Sequence, residues 1–140
     1  MPFLVKEEPT HYSYDAFAKD GGTVWSGVRN PLAQKHLRSI RKGDLVFYYH
    51  TGDEKAIVGI AKAATDAYPD PSDRTGKSHV VDLQPVKKLP RPVSLREVKA
   101  DKRFADFPLT YMPRLSVMPV TDVQWKWILA MADRRDNSDF

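Results

Sequence analysis

The run LVFYY at residues 45–49 constrains the fold most, because both of its alternating faces are apolar. A strand at the surface of a sheet alternates apolar and polar side chains, whereas a run without a polar face is typical of a central strand. The turn TGDEK at 51–55 leads from it into a second apolar run, AIVGIAKAA at 56–64. The sequence therefore predicts a central β-hairpin over 44–64, against which the rest of the chain packs.

Other β-rich segments are shorter and more irregular. They are FLVKE at 3–7, TVWSGV at 23–28, HVVDLQPVKKL at 79–89 and LSVMPV at 115–120. Pro85 indicates that the second half of 79–89 is an edge strand or contains a bulge, because proline cannot donate to a ladder. A long polar loop is expected over 68–78 and a turn over 90–93.

Capping residues predict where helices begin. Ser13 caps a helix that the glycine pair at 21–22 ends, and Asn30 followed by Pro31 begins a helix over 31–41. Capping boxes open the last two helices, Ser94 with Glu97 for a short helix and Thr121 with Gln124 for a helix over 122–132. Two inner stripes follow from the helical period: Ala33, Leu37 and Ile40 in one helix, and Trp125, Ile128 and Leu129 in the other.

Strands joined by hairpins and irregular loops, without regular βαβ alternation, favour an α+β domain. The most economical arrangement is a small mixed or antiparallel β-barrel, or a curved sheet, with short helices at its rim. A length of 140 residues suits one domain. We place that domain at 1–132 and expect a frayed tail over 133–140.

Composition excludes several classes of protein. The chain has no cysteine, so disulfides and thiolate chemistry are excluded. No apolar run approaches the roughly 18 residues of a membrane helix, and the start lacks the features of a signal peptide. We therefore expect a monomer without a membrane partner, in the cytoplasm or, in a eukaryote, in the nucleus. The net charge of +4 permits nucleic-acid binding without requiring it.

Motifs for catalysis are missing from the sequence. It contains no glycine-rich phosphate loop, no nucleophile elbow and no Cys–His pair. The four histidines have no metal-ligand spacing. The sequence accordingly predicts no catalytic residue, no cofactor and no metal, and a hydrolase or nuclease is the weaker interpretation.

Residues 23–50 mix aromatic and basic side chains. The aromatic ones are Trp25, Phe47, Tyr48 and Tyr49, and the basic ones are Arg29, Lys35, Arg38, Arg41 and Lys42. A packed core beside a solvated basic helix would explain the mixture. A pocket that stacks a nucleobase, with a basic rim for the phosphate backbone, would explain it equally. These residues alone leave both explanations open.

Several segments, taken in order, resemble the EVE domain family. They are FLVKEEPTHYS, VWSGVRN, KGDLVFYYH, IVGIA, AYPD, RPVSL and RLSVMPV, and they span about residues 3 to 131. The resemblance implies a PUA-like fold, with a curved or barrel-like sheet and flanking helices. It also implies a module that takes a modified base, notably methylated or hydroxymethylated cytosine in DNA, into a pocket.

The resemblance and the chemistry of the side chains together suggest the site. The predicted ligand-binding residues are Trp25, Asn30, Tyr48, His50, Lys6 and Ser116. The predicted backbone contacts are Arg29, Arg38, Arg41, Lys42 and Arg114. The expected partner is DNA or RNA with a modified base, bound without catalysis, and the alternative is a small-molecule or protein-interaction module on the same fold.

Purely structural roles stay open for several of these residues, with Trp25 as a core residue and Asn30 as a helix cap. The chain also departs from the family pattern. Phe3 stands where the family usually has Trp, and Pro31 and Leu32 replace a Tyr-Gln pair. Glu7 replaces a small Ser and would add a carboxylate near the pocket, which would repel phosphate if it faced the rim.

Overall fold

The chain folds into a curled, mixed β-sheet with flanking helices, as seen in a computed structural model that describes residues 1–134. The strands are β1 Phe3–Glu7, β2 Thr23–Trp25, β3 Leu45–His50, β4 Ala56–Ala63, β5 Tyr68–Pro69, β6 His79–Ser94 and β7 Val117–Pro119. Their order is β2-β6-β4-β3-β1-β7, and β5 pairs with β6 beside this path. β1 and β3 run parallel, and the other pairs are antiparallel.

The predicted central hairpin is present as β3 and β4, which lie in the middle of the sheet. In β3 the side chains of residues 46–50 are all buried, so both faces of the strand are covered. Tyr48 meets Tyr14 and Phe17 on one face, and Phe47 stacks on Trp125 on the other at 3.7 Å between ring centroids. The apolar character of both faces thus follows from helices that pack on each side.

The long strand β6 differs from the predicted pattern. It continues to Ser94, so the turn expected over 90–93 is wrong. Of the two alternatives for Pro85, the bulge is confirmed, because the register passes from Ala61↔Pro85 to Ile60↔Lys87 and leaves Val86 unpaired. A second irregularity spans residues 89–92. Pro85 borders the first irregularity, and Pro90 and Pro92 lie within the second, which is where a strand tolerates proline.

The helices agree with the capping signals. They are α1 Pro9–Tyr12, α2 Tyr14–Asp20, α3 Pro31–Arg38, α4 Leu95–Ala100, α5 Pro108–Tyr111 and α6 Asp122–Asp133. Ser13, Asn30, Ser94 and Thr121 cap α2, α3, α4 and α6 as predicted. The short helices α1 and α5, and a 3-10 turn at Lys102–Phe104, were not predicted.

Helix α3 is shorter than its predicted range of 31–41. After Arg38 the chain tightens, since the N–H of Ile40 donates to the carbonyl oxygen of Leu37 at 3.0 Å. The Asp44 carboxylate then accepts from the N–H of Arg41 at 2.8 Å, which holds the next turn. The helix therefore ends before Gly43, although Ala33, Leu37 and Ile40 are all fully buried as expected.

Helix α3 also closes the curled sheet. It contacts both β7 and β6, which are far apart in the strand order. β7, at one end of the sheet, and β6, next to the other end, therefore both lie against this helix. Residues 26–30 lead to the helix from β2, the strand at that other end.

The predicted α+β class with a curved mixed sheet is confirmed. Helix α6 extends to Asp133, and from residue 135 onward the predicted tail lies outside the described residues. Within residues 1–134, no helix has both the length and the apolar character that a membrane crossing requires. In α6, Trp125 and Ile128 are buried and Leu129 is partly buried.

Candidate functional site

Residues 23–31 join β2 to α3 and line two cavities in succession. Thr23, Val24, Trp25 and Ser26 line a cavity of about 310 Å³, which we name the Trp25 cavity. The next residues, including Gly27, Val28 and Arg29, line a cavity of about 630 Å³, named the Arg29 cavity. Both volumes are in the range of pockets that bind small ligands.

Trp25 ends β2 and forms one wall of the Trp25 cavity. Its side chain is only 5% exposed, and its ring meets that of Tyr48 edge-on at 5.3 Å between centroids. The residue therefore belongs to the core and also borders a cavity, so the core and pocket interpretations apply together. An indole at a cavity wall can stack on a base.

The remaining lining of the Trp25 cavity is acidic and comes from β1, α1 and α2. The Tyr12 hydroxyl donates to Asp20 Oδ2 at 2.7 Å, and burial together with this bond raises the pKa of Tyr12. Glu7 Oε1 accepts from the N–H of Glu8 at 2.9 Å and lies 3.2 Å from His11 Nδ1. The Trp25 cavity thus brings two carboxylates and an indole into one lining.

Tyr48 and His50 lie behind Trp25 and do not line the Trp25 cavity, which differs from the expected placement. Tyr48 is fully buried, its hydroxyl donates to the carbonyl oxygen of Tyr12, and burial raises its pKa. His50 Nε2 accepts from the N–H of Tyr14 at 3.0 Å, and Nδ1 lies 2.7 Å from Glu54 Oε1. Both ring nitrogens are therefore engaged by the protein.

Three cationic side chains line the Arg29 cavity: Arg29, Arg38 and Lys77. All three are exposed. Within residues 1–134, neither the Arg29 nor the Arg38 guanidinium donates to another group of the protein. Their donors are therefore available to an anion such as a phosphate.

The Arg29 cavity also has two carboxylates, which serve the loop that carries them. Asp70 accepts from the N–H and the hydroxyl of Ser72. Asp73 accepts from the Thr75 hydroxyl at 2.8 Å and from the N–H of Ser78 at 2.8 Å, and these bonds lower its pKa. The acids thus order the loop over 70–78, which forms one wall of the cavity.

Gln34 connects the two walls of the Arg29 cavity. Its amide nitrogen donates to the carbonyl oxygens of Val28 at 2.7 Å and His79 at 3.1 Å, and its oxygen accepts from the N–H of His79 at 2.9 Å. The side chain is buried. Sequence reasoning missed it, and the only signal was a polar residue beside the inner stripe of α3.

Asn30 stands between lining residues of the Arg29 cavity, but its side chain caps α3. Its oxygen accepts from the N–H of Ala33 at 3.0 Å. Arg41 and Lys42 follow the end of α3 and do not line the cavity. The Arg41 guanidinium folds back onto the carbonyl oxygens of Arg38 and Ile40.

Lys6 lies in β1, and Ser116 and Arg114 lie in the segment just before β7, away from both cavities. Lys6 pairs with Tyr49 in the sheet, so its side chain lies on the face opposite Tyr48 and Trp25. Its ammonium donates to the carbonyl oxygen of Pro113 at 3.2 Å, and burial lowers its pKa. Ser116 accepts from the N–H of Lys6 through its backbone oxygen at 3.0 Å.

The structure therefore divides the predicted site residues among distinct places. Trp25 lines one cavity, with Tyr48 and His50 behind it, while Arg29 and Arg38 line the other. Glu7 and Asp20 complete the first cavity. Glu7 was noted in the sequence, but nothing indicated that Asp20 would line a cavity with Trp25. Within residues 1–134, no group of His, Cys, Asp and Glu forms a metal-binding cluster.

Known proteins share this fold and sequence. A protein from Rhodopseudomonas palustris is 43% identical, with a TM-score of 0.90, and the match covers 99% of this chain and 97% of that one. Human thymocyte nuclear protein 1 is 30% identical, and the match covers 80% of this chain and 60% of that protein. The chain thus matches only part of the length of this relative.

A structure of human THYN1 in complex with 5-methylcytosine-containing DNA has a TM-score of 0.79 to this chain at 28% identity. The match covers 96% of this chain and 99% of that one. The EVE domain matches residues 2–131, which include every strand of the sheet and both cavities. The chain therefore belongs to the EVE domain family.

Proposed function

We propose that this chain is a non-catalytic module that binds nucleic acid and reads a modified base. The base enters the Trp25 cavity and stacks on the indole. The phosphate backbone passes the Arg29 cavity, where Arg29 and Arg38 contact it. DNA is the first candidate, because human THYN1 has been solved with 5-methylcytosine-containing DNA.

One observation carries this proposal. Successive residues of one segment, 23–31, line a cavity with an aromatic wall and then a second cavity, which also includes Arg38. Arg29 and Arg38 have no partner within residues 1–134. Stacking on an aromatic ring is worth about 1–3 kcal/mol per base and tolerates many bases. Phosphate contacts add affinity without reading sequence.

The size of any preference for a methyl group is limited. Burial of one methyl group contributes about 0.8 kcal/mol, whereas a tenfold preference requires about 1.4 kcal/mol. A cavity that only accommodates the methyl group should therefore prefer 5-methylcytosine over cytosine by less than tenfold. A larger preference requires polar contacts or easier extrusion of the base from its duplex.

The test measures binding of the whole chain to matched oligonucleotides with cytosine, 5-methylcytosine or 5-hydroxymethylcytosine, over a range of salt concentrations. For the double variant Arg29→Ala/Arg38→Ala, we expect equal loss of affinity for all three oligonucleotides. The plot of log affinity against log salt concentration has a negative slope. Its magnitude should decrease by about 2, because each of the two lost phosphate contacts contributes about 0.9.

The control is the double variant Lys99→Ala/Lys126→Ala, which makes the same change in net charge on exposed faces of α4 and α6. It should keep most of the salt slope. If no oligonucleotide binds at low salt, the proposal is wrong and the small-molecule or protein-interaction alternative replaces it. Cleavage of DNA in the presence of magnesium would contradict the non-catalytic part.

A further inference from the structure

We infer that Glu7 is a specificity-determining residue, which makes the Trp25 cavity select a base that presents an amino group over one that presents a carbonyl oxygen. The inference rests on the proposed function, since it concerns which base the same cavity accepts. Its basis is the hydrogen-bonding state of Glu7 and Asp20, the two carboxylates that line the cavity together with Trp25.

Each of these carboxylates has one oxygen that accepts no hydrogen bond within residues 1–134. Glu7 uses Oε1 for the N–H of Glu8 and for His11, and Asp20 uses Oδ2 for the Tyr12 hydroxyl. Within residues 1–134, Glu7 Oε2 and Asp20 Oδ1 accept no hydrogen bond. The Glu7 side chain is 26% exposed, so a ligand that enters the cavity can reach it.

The cavity has few hydrogen-bond donors that could bind an acceptor atom of a ligand. None of its lining residues within the described chain is a lysine or an arginine. The Tyr12 hydroxyl already donates to Asp20, and His11 lies against Glu7. Thr23 and Ser26 also line the cavity, and their hydroxyls can donate or accept, so they do not bias the choice. The charged groups of the cavity that have no hydrogen-bond donor opposite them are thus the free oxygens of Glu7 and Asp20.

Such a cavity favours a base that carries an exocyclic amino group, because that group is a hydrogen-bond donor. A carboxylate accepts from the N4 amino group of cytosine, and a bond to an ionised acceptor is stronger than one between neutral groups. A carbonyl oxygen at the same position would bring two acceptors together and leave both without a donor. Glu7 contributes the more enclosed carboxylate, because Asp20 is exposed.

5-Methylcytosine and thymine form the most informative pair of probes. They share the ring size and the methyl group, but position 4 carries an amino group in one and a carbonyl oxygen in the other. We expect the chain to bind a single-stranded oligonucleotide with one central 5-methylcytosine about tenfold more tightly than its thymine counterpart, which corresponds to about 1.4 kcal/mol. A single strand removes any difference in extrusion from a duplex.

The variant Glu7→Gln should reduce this ratio to near one, because an amide can turn either its oxygen or its nitrogen to the base. Asp53→Asn is the matched control, since it makes the same charge change on an exposed turn that does not line this cavity. It should leave the ratio unchanged. If Glu7→Gln does not fold, as judged by thermal unfolding, Asp20→Asn replaces it with the same expected direction.

The outcomes separate this inference from the proposed function. Equal binding of the two oligonucleotides by the unchanged chain overturns the inference and leaves the base-binding module standing. A ratio that survives in Glu7→Gln overturns the role of Glu7. If neither oligonucleotide binds at low salt, the proposed function fails, and the inference fails with it.

Discussion

Gln34 is one of the residues that line the Arg29 cavity, and its side chain bonds to the backbone of two segments beside that cavity. Its amide bonds to backbone groups of Val28, which lines the Arg29 cavity, and of His79, which follows the lining residue Ser78. A buried backbone group that loses its partner costs about 1–3 kcal/mol. The side chain therefore holds the 27–31 segment and the 70–79 region at a defined separation.

We expect Gln34→Met to lower the free energy of unfolding by about 1–3 kcal/mol, because the N–H of His79 and the carbonyl oxygen of Val28 lose their partners. Affinity for oligonucleotides should fall as well, since both walls of the Arg29 cavity loosen. Chemical denaturation and a binding titration measure the two effects. Lys35→Met, at the neighbouring exposed position, is the control for stability. An unchanged unfolding energy in Gln34→Met would contradict this role.

Trp25 has two roles that a simple truncation would not separate. It is 5% exposed and packs edge-on against Tyr48, so Trp25→Ala is expected to cost about 3–5 kcal/mol of stability. Loss of binding in that variant would then reflect loss of the fold as much as loss of stacking. Trp25→Phe keeps an aromatic ring and is the more informative change.

At the scale of elements, helix α2 lies so close to strand β4 that only glycine fits at one position. A Cβ at Gly59 would lie 2.6 Å from two ring atoms of Tyr14, which is far inside van der Waals contact. The Tyr14 hydroxyl also donates to the carbonyl oxygen of Ile60 at 2.7 Å, which fixes the ring there. The ring of Tyr14 thus packs directly on the backbone of Gly59, and this contact holds α2 to the sheet.

Gly59→Ala should therefore lower the free energy of unfolding by about 1–3 kcal/mol, the usual cost of overpacking a core. In a Tyr14→Leu background the same change should cost less, because the smaller side chain can move aside. A double-mutant cycle by chemical denaturation measures this coupling. Equal costs in the two backgrounds would show that the penalty does not come from the ring.

Local signals predicted the elements that depend on local chemistry. The caps at Ser13, Asn30, Ser94 and Thr121 are present because each satisfies backbone donors of its own helix. The continuation of β6 past Pro90 could not be predicted, since it depends on bulges formed with β4. Residues 90–93 have a propensity for turns, but the pairing of β6 with β4 keeps them in the strand.

In the candidate site, too, some residues could be predicted from local sequence and others depend on the fold. The segment 23–31 could be recognised from its own residues, because Trp25 at the end of β2 and Arg29 and Asn30 before α3 lie close together in the sequence. Other lining residues come from β1, α1, α2 and the 70–78 loop, and only the fold brings them there. Lys6 was expected at the pocket, but strand alternation places its side chain on the other face of the sheet.

For the molecule as a whole, Arg91 joins three elements at once. Its guanidinium donates to both carboxylate oxygens of Glu97 at 2.9 and 2.8 Å, and to the carbonyl oxygen of Met131 at 2.9 Å. It thereby ties β6 to α4 and α6. The hydrogen bonds from Arg91 lower the pKa of Glu97, assisted by Ser94 and opposed by partial burial.

This shift makes the stability of the fold depend on pH in a defined direction. Glu97 has a lower pKa in the folded chain than its ordinary value of 4.5, so the unfolded chain binds more protons between the two. Its contribution to stability is therefore present above pH 4.5 and is lost as the pH falls below that value. Glu97→Gln should lower the Tm at pH 7 and flatten its decline towards pH 3.

Thermal unfolding between pH 7 and pH 3 measures this effect. Asp53→Asn, at an exposed position without a hydrogen bond inside the described residues, is the control and should retain the decline of the unchanged chain. A Glu97→Gln variant with the same Tm profile as the unchanged chain would show that the contact with Arg91 does not contribute to stability.

The position of β1 in the sheet has a consequence for synthesis on the ribosome. β1 pairs with β3 on one side and with β7 on the other, and β7 begins at Val117. At about 5–20 residues per second, β7 is made roughly 6–22 seconds after β1. Until then the first strand has one edge without a partner, and such an edge can pair with another chain. Nascent chains of this protein should therefore depend on chaperones until their last strand emerges.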